Sequence, residues 1–131
     1  MCGITGALSF TQSEFKITEP YITKMRETMV HRGPDGEGTW VSDDQRVGLG
    51  HRRLSIIDLS ESANQPMTNE TRSIQLVFNG EIYNHADIRK ELEQTGRYVW
   101  KTNHSDTEVV LHAYEECGVQ IVYSALGECL L

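Results

Sequence analysis

Apolar residues fall in short clusters along this chain, and their spacing predicts a mixture of strands and helices. The apolar run at residues 4–10 is bounded by Gly3 and by Thr11, Gln12 and Ser13, which predicts a strand almost at the N-terminus. Ile22, Met25 and Met29 recur at helical spacing, with Thr18 placed to cap and Pro20 in the first turn, so residues 18–32 read as a helix. Gly33-Pro34-Asp35-Gly36 stops it. Residues 39–42 and 47–57 read as extended, separated by the polar turn Asp43-Asp44-Gln45. Residues 58–72 are polar, contain Pro66 and read as a loop, and 74–78 is an apolar run typical of a buried strand. Asn84 caps a second helix with Ile88 and Leu92 on its buried face and Gly96 at its end. Residues 98–101 read as a strand. Ser105-Asp106-Thr107-Glu108 has the form of a capping box and opens a third helix. That helix carries Val109, Val110, Ala113, Tyr114 and Cys117 on one side and Gly118 at its end. Strands and helices mix without strict βαβ alternation, so the expected fold class is α+β.

Composition narrows the function classes. A length of 131 residues suits one domain, and 38% hydrophobic with 24% charged residues is ordinary globular composition. The formal charge of −7 argues against nucleic acid as the main partner, because phosphate binding needs a basic surface. No segment approaches the apolar length needed to span a bilayer, so no membrane partner is expected. The start, Met1-Cys2-Gly3-Ile4, lacks the basic-then-apolar order of a signal peptide, and the expected location is cytoplasmic. Cys2, Cys117 and Cys129 are too few and scattered for a disulfide framework, and the histidines show no paired ligand spacing, so no metal site is expected.

Four clusters could carry chemistry. If Met1 is removed, Cys2 carries a thiol and a free α-amine. That amine titrates at roughly 7.7–8.0 and can take the thiol proton, directly or through a water. On position alone, Cys2 reads more simply as an incidental small residue near a terminus. The run FNGEIYN at 78–84 could be a hairpin turn, since Asn-Gly between apolar runs favours one. It passes instead towards the helix cap at Asn84. Asn79 would then offer an amide and Gly80 an unobstructed backbone N–H to a developing oxyanion. In GHRRLSII at 50–57, either arginine is a solvated charge or a surface ion pair, or one holds a substrate carboxylate with its planar fork. Asp106, inside the capping box, could face a cationic substrate group. His31-Arg32-Gly33-Pro34-Asp35 reads most simply as a helix stop.

Six motifs, MCGITG at 1–6, HRGPDGEG at 31–38, GHRRLSIIDLS at 50–60, QPM at 65–67, FNGEIYNH at 78–85 and SDTEVVLHAYEECG at 105–118, share an order and spacing. In this they resemble the class II, N-terminal-nucleophile glutamine amidotransferase domains of asparagine synthetases. The resemblance covers residues 1 to about 118, and NGEIYNH and HRRLSIIDL resemble that branch rather than the glucosamine-phosphate or purine amidotransferases. It implies Cys2 as nucleophile and Asn79 and Gly80 as oxyanion hole. It implies Arg53 on the glutamine α-carboxylate, Glu81 and Asp106 near the α-amino group, and backbone groups of Ile56 and Ile57 lining the same pocket. It further implies a four-layer αββα sandwich, L-glutamine as substrate, and hydrolysis through a γ-glutamyl thioester. Ammonia would pass to a synthetase domain or partner chain that uses ATP and magnesium.

No pyrophosphate-binding loop is present, so no cofactor site is expected within these residues. After Leu126 and Gly127 the chain departs from the family's L-x-G-M-F-A-F-A pattern, so the sandwich is expected to be incomplete at the C-terminus. An incomplete sheet exposes edges and apolar faces, which predicts a homodimer, a partner chain or low stability. Three functions stay open. The chain is a glutaminase part of an asparagine synthetase, a non-catalytic binding remnant, or the glutaminase subunit of another amidating enzyme.

Overall fold

A computed structural model describes residues 1–10, 12–55 and 61–125. The order of elements is β1 (Gly3–Leu8), α1 (Glu19–Glu27), β2 (Gly36–Val41), β3 (Val47–Arg53), β4 (Met67–Thr68), β5 (Gln75–Leu76), α2 (His85–Gln94) and α3 (Asp106–Ala125), with short 3-10 turns at Val30–Arg32 and Glu61–Ala63. The mixture is α+β, as the unalternated pattern predicts. Two compact units share the chain. One holds 1–56, 64–66 and 77–79, and the other holds 57–63, 67–76 and 80–131.

The first unit is a three-stranded antiparallel sheet in the order β1-β3-β2, with α1 packed on it. β3 pairs β1 with Gly3 opposite Arg52 and Leu8 opposite Val47, and pairs β2 with Gly36 opposite Arg53 and Val41 opposite Gly48. Ile17 and Ile22 are fully buried. They sit so close to β3 that a Cβ on Gly48 would lie 2.6 Å from Ile22 and 2.7 Å from Ile17, so glycine is what lets helix and strand approach. α1 is shorter than 18–32: helical geometry ends at Glu27 and resumes as the 3-10 turn before Gly33. Thr18 precedes the helix without a side-chain cap; its backbone carbonyl accepts from Tyr21 and Ile22 instead. Met25 and Met29 are half-buried while Arg26 is buried, where it pairs with Glu37 on β2 and with its helix neighbour Glu27. The turn at 43–45 is present, with Gln45 at φ 59°.

The second unit pairs β4 with β5 and packs α3 against α2 and β4. Ile88 and Leu92 are buried and Gly96, at φ 65°, follows the helix end, as the pattern predicts. The buried strand expected at 74–78 is only Gln75–Leu76 in regular pairing, and residues 74–78 are half-buried. Its partner β4 lies in the segment expected to be loop. Residues 98–101 form no strand. Lys101 and Thr102 spend their backbone N–H groups on the Glu108 carboxylate at 2.7 and 2.9 Å, so a helix side chain replaces a strand partner. Glu108 therefore reaches past the capping-box position, and the Ser105 N–H donates to Thr102 Oγ1.

Burial on α3 also differs from the expected stripe. Val109, Val110 and Ala113 are buried, together with Leu111 and His112, whereas Tyr114 and Cys117 are exposed. The first turns are covered nearly all round: Tyr98 and Trp100 flank the His112 ring at 4.6 and 4.8 Å, and Arg89 lies 4.2 Å over Trp100. Gly118 (φ 67°) interrupts the helical geometry, as a helix-ending glycine should, but helix resumes beyond it. Among the described residues no helix is long and apolar enough to cross a membrane. Ile4 and Leu8 on β1 are 45% and 63% exposed.

Two outcomes follow from the sheet. Gly48→Ala should lower stability by about 1–3 kcal/mol by overpacking Ile17 and Ile22, read from chemical denaturation. His51 on β3 is 1% exposed, and burial, with Arg53 nearby, pushes its pKa down to about 4 from 6.5. The unfolded chain then binds the extra proton between those values, so stability is full above about 6.5 and falls as pH drops towards 4. Thermal unfolding at stepped pH should show this slope in the native chain and a flatter one in His51→Leu.

Candidate active site

The ladder positions the nucleophile candidate. Gly3 is the partner of Arg52, so the residue before Gly3 meets the residue after Arg52, and Cys2 arrives beside Arg53. The thiol reaches the next backbone unit: Leu54 N–H donates to Cys2 Sγ at 3.3 Å, and Sγ lies 3.7 Å from the Leu54 carbonyl. Strand alternation places Cys2, Ile4, His51 and Arg53 on one face of the sheet and Gly3, Thr5, Gly50 and Arg52 on the other. Cys2 is half-buried and Met1 is 78% exposed.

The same alternation separates the two arginines. Arg52 points towards α1, where Glu37 and Glu27 (3.6 Å) pair with it. Arg26 joins the cluster, 3.0 Å from Glu27 and 3.2 Å from Glu37, and donates to Thr39 Oγ1 at 3.0 Å. Arg52 is thus committed to holding α1 on the sheet. Arg53, also buried, points to the Cys2 face and donates to Asn64 Oδ1 at 2.9 Å. Its backbone is fixed too. Asp35 N–H donates to the Arg53 carbonyl at 3.0 Å, and Asp35 Oδ2 accepts from Ser55 N–H at 2.8 Å. A Cβ on Gly33 would lie 2.4 Å from the Arg52 carbonyl, so only glycine fits against that peptide. The helix-stop motif at 31–35 therefore also sets the frame of Arg53.

Asn79 belongs to the same unit and is exposed. The residue before it is held: Phe78 N–H donates to Gln65 Oε1 at 2.6 Å, and Gln65 is 8% exposed. Asn64 and Gln65 escaped sequence reasoning. The only signal for them was the QPM motif, which Gln65 opens and Asn64 precedes, since side-chain bonds across long sequence separations leave no periodic trace.

In the second unit, Gly80 and Glu81 are exposed. Asp106 opens α3, and its Oδ2 accepts the Ile82 N–H at 3.2 Å. Ile82 is buried. The structure thus brings Asp106 to the backbone that follows Gly80 and Glu81, and gives it an architectural bond besides any contact to substrate. Ile56 and Ile57 lie outside the described residues. Glu70, His112 and Glu115 place potential metal-ligand atoms within 4.8 Å of one another. Glu115 also accepts from Asn69 Nδ2 at 2.9 Å and lies 3.4 Å from His112 Nδ1.

The model of the glutamine amidotransferase domain matches residues 1–129. The chain belongs to this family. It is 40% identical over 128 residues to a probable glutamine-hydrolysing asparagine synthetase of Dictyostelium discoideum, covering 98% of the chain and 22% of that protein. It is 44% identical over 115 residues to asparagine synthetase 1 of Bacillus subtilis, covering 87% of the chain and 17% of the relative. It is 42% identical over 102 residues to the amidase chry2 of Gibberella zeae, covering 78% of the chain and 15% of that protein. The amidotransferase chain thus spans about a fifth of the curated relatives it matches.

The Asp106 bond is testable without substrate. Asp106→Ala should speed amide hydrogen exchange at Ile82 by about fivefold, the equivalent of one hydrogen bond worth roughly 1 kcal/mol. Asp106→Asn keeps an acceptor and should leave exchange there nearly unchanged.

Proposed function

We propose that this chain is the glutaminase part of an asparagine-synthetase-type enzyme and releases ammonia from the side-chain amide of L-glutamine. The observation that carries the proposal is the convergence of Cys2 and Arg53 on one sheet face, with Cys2 Sγ held at the Leu54 backbone beside Arg53. Family membership supports it.

The proposed chemistry is acyl transfer. With Met1 removed, the Cys2 α-amine takes the thiol proton and the thiolate attacks the glutamine side-chain carbonyl. The resulting oxyanion takes hydrogen bonds from the Asn79 amide and the Gly80 N–H. The protonated amine returns its proton to the leaving nitrogen, ammonia departs, and a γ-glutamyl thioester remains. Water, deprotonated by the same amine, attacks the thioester; glutamate leaves and the thiol is restored. Arg53 binds the substrate α-carboxylate, Glu81 and Asp106 its α-ammonium group, and backbone groups of Ile56 and Ile57 border the substrate. A zwitterionic amino acid needs this pairing of a fixed cation with acidic groups.

The four-layer αββα sandwich is the fold we propose for the amidotransferase domain, with α1 on the β1-β3-β2 sheet supplying one helix-on-sheet pair. Ammonia would pass to a synthetase domain or partner chain, whose ATP and magnesium are assigned to no residue of this chain. The relatives named asparagine synthetases make aspartate the favoured acceptor.

The decisive measurement is glutamate release from glutamine by purified chain whose N-terminal Cys2 has been verified by mass spectrometry. Cys2→Ala should show none. Arg53→Lys should raise KM for glutamine about 10–100-fold, the loss of one or two charge-assisted hydrogen bonds. A folded chain with a free Cys2 amine and no turnover would overturn the glutaminase reading in favour of a binding role.

A further inference from the structure

Asn64 and Gln65 are neighbours in sequence, and each is bonded to one arm of the candidate site within the same unit. Asn64 Oδ1 accepts from Arg53 Nη1 at 2.9 Å. Gln65 Oε1 accepts from the N–H of Phe78, the residue before Asn79, at 2.6 Å. Both lie over β2 where it has no side chains. A Cβ on Gly36 would sit 3.1 Å from Asn64 Oδ1, and one on Gly38 would sit 1.9 Å from the Gln65 carbonyl oxygen. The strand is therefore cleared for this dipeptide to lie directly on it, and a side chain at Gly38 would displace it.

We infer that Asn64 and Gln65 are positioning residues, Asn64 for the guanidinium fork of Arg53 and Gln65 for the backbone that presents Asn79. The catalytic consequence rests on the glutaminase reading; the geometric one does not. A guanidinium fork loses specificity when its plane is free to turn, so Asn64 acts on substrate binding. An oxyanion donor is useful only where it is already aimed, so Gln65 acts on the chemical step. Two adjacent side chains thereby tie the carboxylate clamp and the oxyanion donor to one stretch of backbone.

The test uses the full chain with verified N-terminal Cys2. Asn64→Ala should raise KM for glutamine about tenfold with kcat within about twofold. Gln65→Met, of similar volume but lacking a strong acceptor, should lower kcat about 10–100-fold with KM within about threefold, less than loss of a donor itself. Gln65→Glu retains an acceptor and should recover most of kcat. Amide hydrogen exchange provides a readout that needs no turnover: Phe78 should be protected in the native chain and in Gln65→Glu, and faster in Gln65→Met. The inference is overturned if Phe78 is unprotected in the native chain. It is also overturned if Gln65→Met leaves Phe78 exchange or kcat unchanged, or if Gln65→Glu is as impaired as Gln65→Met. If Gln65→Met does not fold, native protection at Phe78 and the Gln65→Glu variant decide the matter. Absence of turnover in the native chain would sink the glutaminase reading alone, and the exchange result would still decide the positioning of Phe78.

Discussion

Six consecutive Cα partnerships, from Gly3 with Arg52 to Leu8 with Val47, hold β1 against β3 and carry Cys2 to the end of the central strand. Each backbone hydrogen bond in such a ladder contributes little net stability, but together they fix where the next residue beyond the strand must fall. Cys2 owes its place to this. It lies one residue outside the strand, and its thiol meets Leu54, one residue outside the partner strand. A terminal residue is ordinarily poorly held. Here the first strand ties it to a strand paired on both sides.

The central strand is kept in place from both faces by different physics. On one face Gly48 removes the side-chain layer, so Ile17 and Ile22 pack almost onto the backbone. Beside them the Arg26, Arg52, Glu27 and Glu37 cluster closes the edge with buried guanidinium groups and half-exposed carboxylates. The partial exposure of the glutamates limits their desolvation penalty. On the other face, glycines of β2 admit Asn64 and Gln65. Glycine thus does opposite work on the two faces, bringing a helix close on one and a polar dipeptide close on the other.

Much of this architecture is legible in the sequence where it rests on local periodicity. The start of α1 near Thr18, the buried residues of α2, the glycine after it and the turn at 43–45 all follow from short patterns, whereas α1 ends at Glu27, before the expected stop at Gly33. What is not legible rests on distant polar partners. Residues 98–101 have the composition of a strand, yet the Lys101 N–H goes to the Glu108 carboxylate and the Val99 N–H to Glu70. Residues 74–78 look like a buried strand, yet regular pairing is limited to Gln75–Leu76, and Phe78 N–H goes to Gln65. Hydrophobic pattern shows which side of a segment is buried; it carries no information about which side chain will satisfy a backbone donor. For the candidate site, the motifs name Cys2, Arg53, Asn79 and Asp106, whereas the residues that hold Arg53 and Phe78 emerge only from the fold.

The two adjacent arginines carry a further consequence. They differ in role solely because successive side chains of a strand leave on opposite faces. Shift β3 by one residue against its neighbours and the pair exchange duties: Arg53 would turn towards the glutamates beneath α1, and Arg52 would come to the thiol's side. Either register keeps a guanidinium on each face, so charge alone does not choose between them. Bulk does. Gly48 and Gly50 lie on the α1 face, and the shifted strand would put Leu49 and His51 where Ile17 and Ile22 leave no room. Two hydrogen atoms in place of side chains, several residues upstream, thus act as the key that decides which of two otherwise equivalent arginines faces the cysteine.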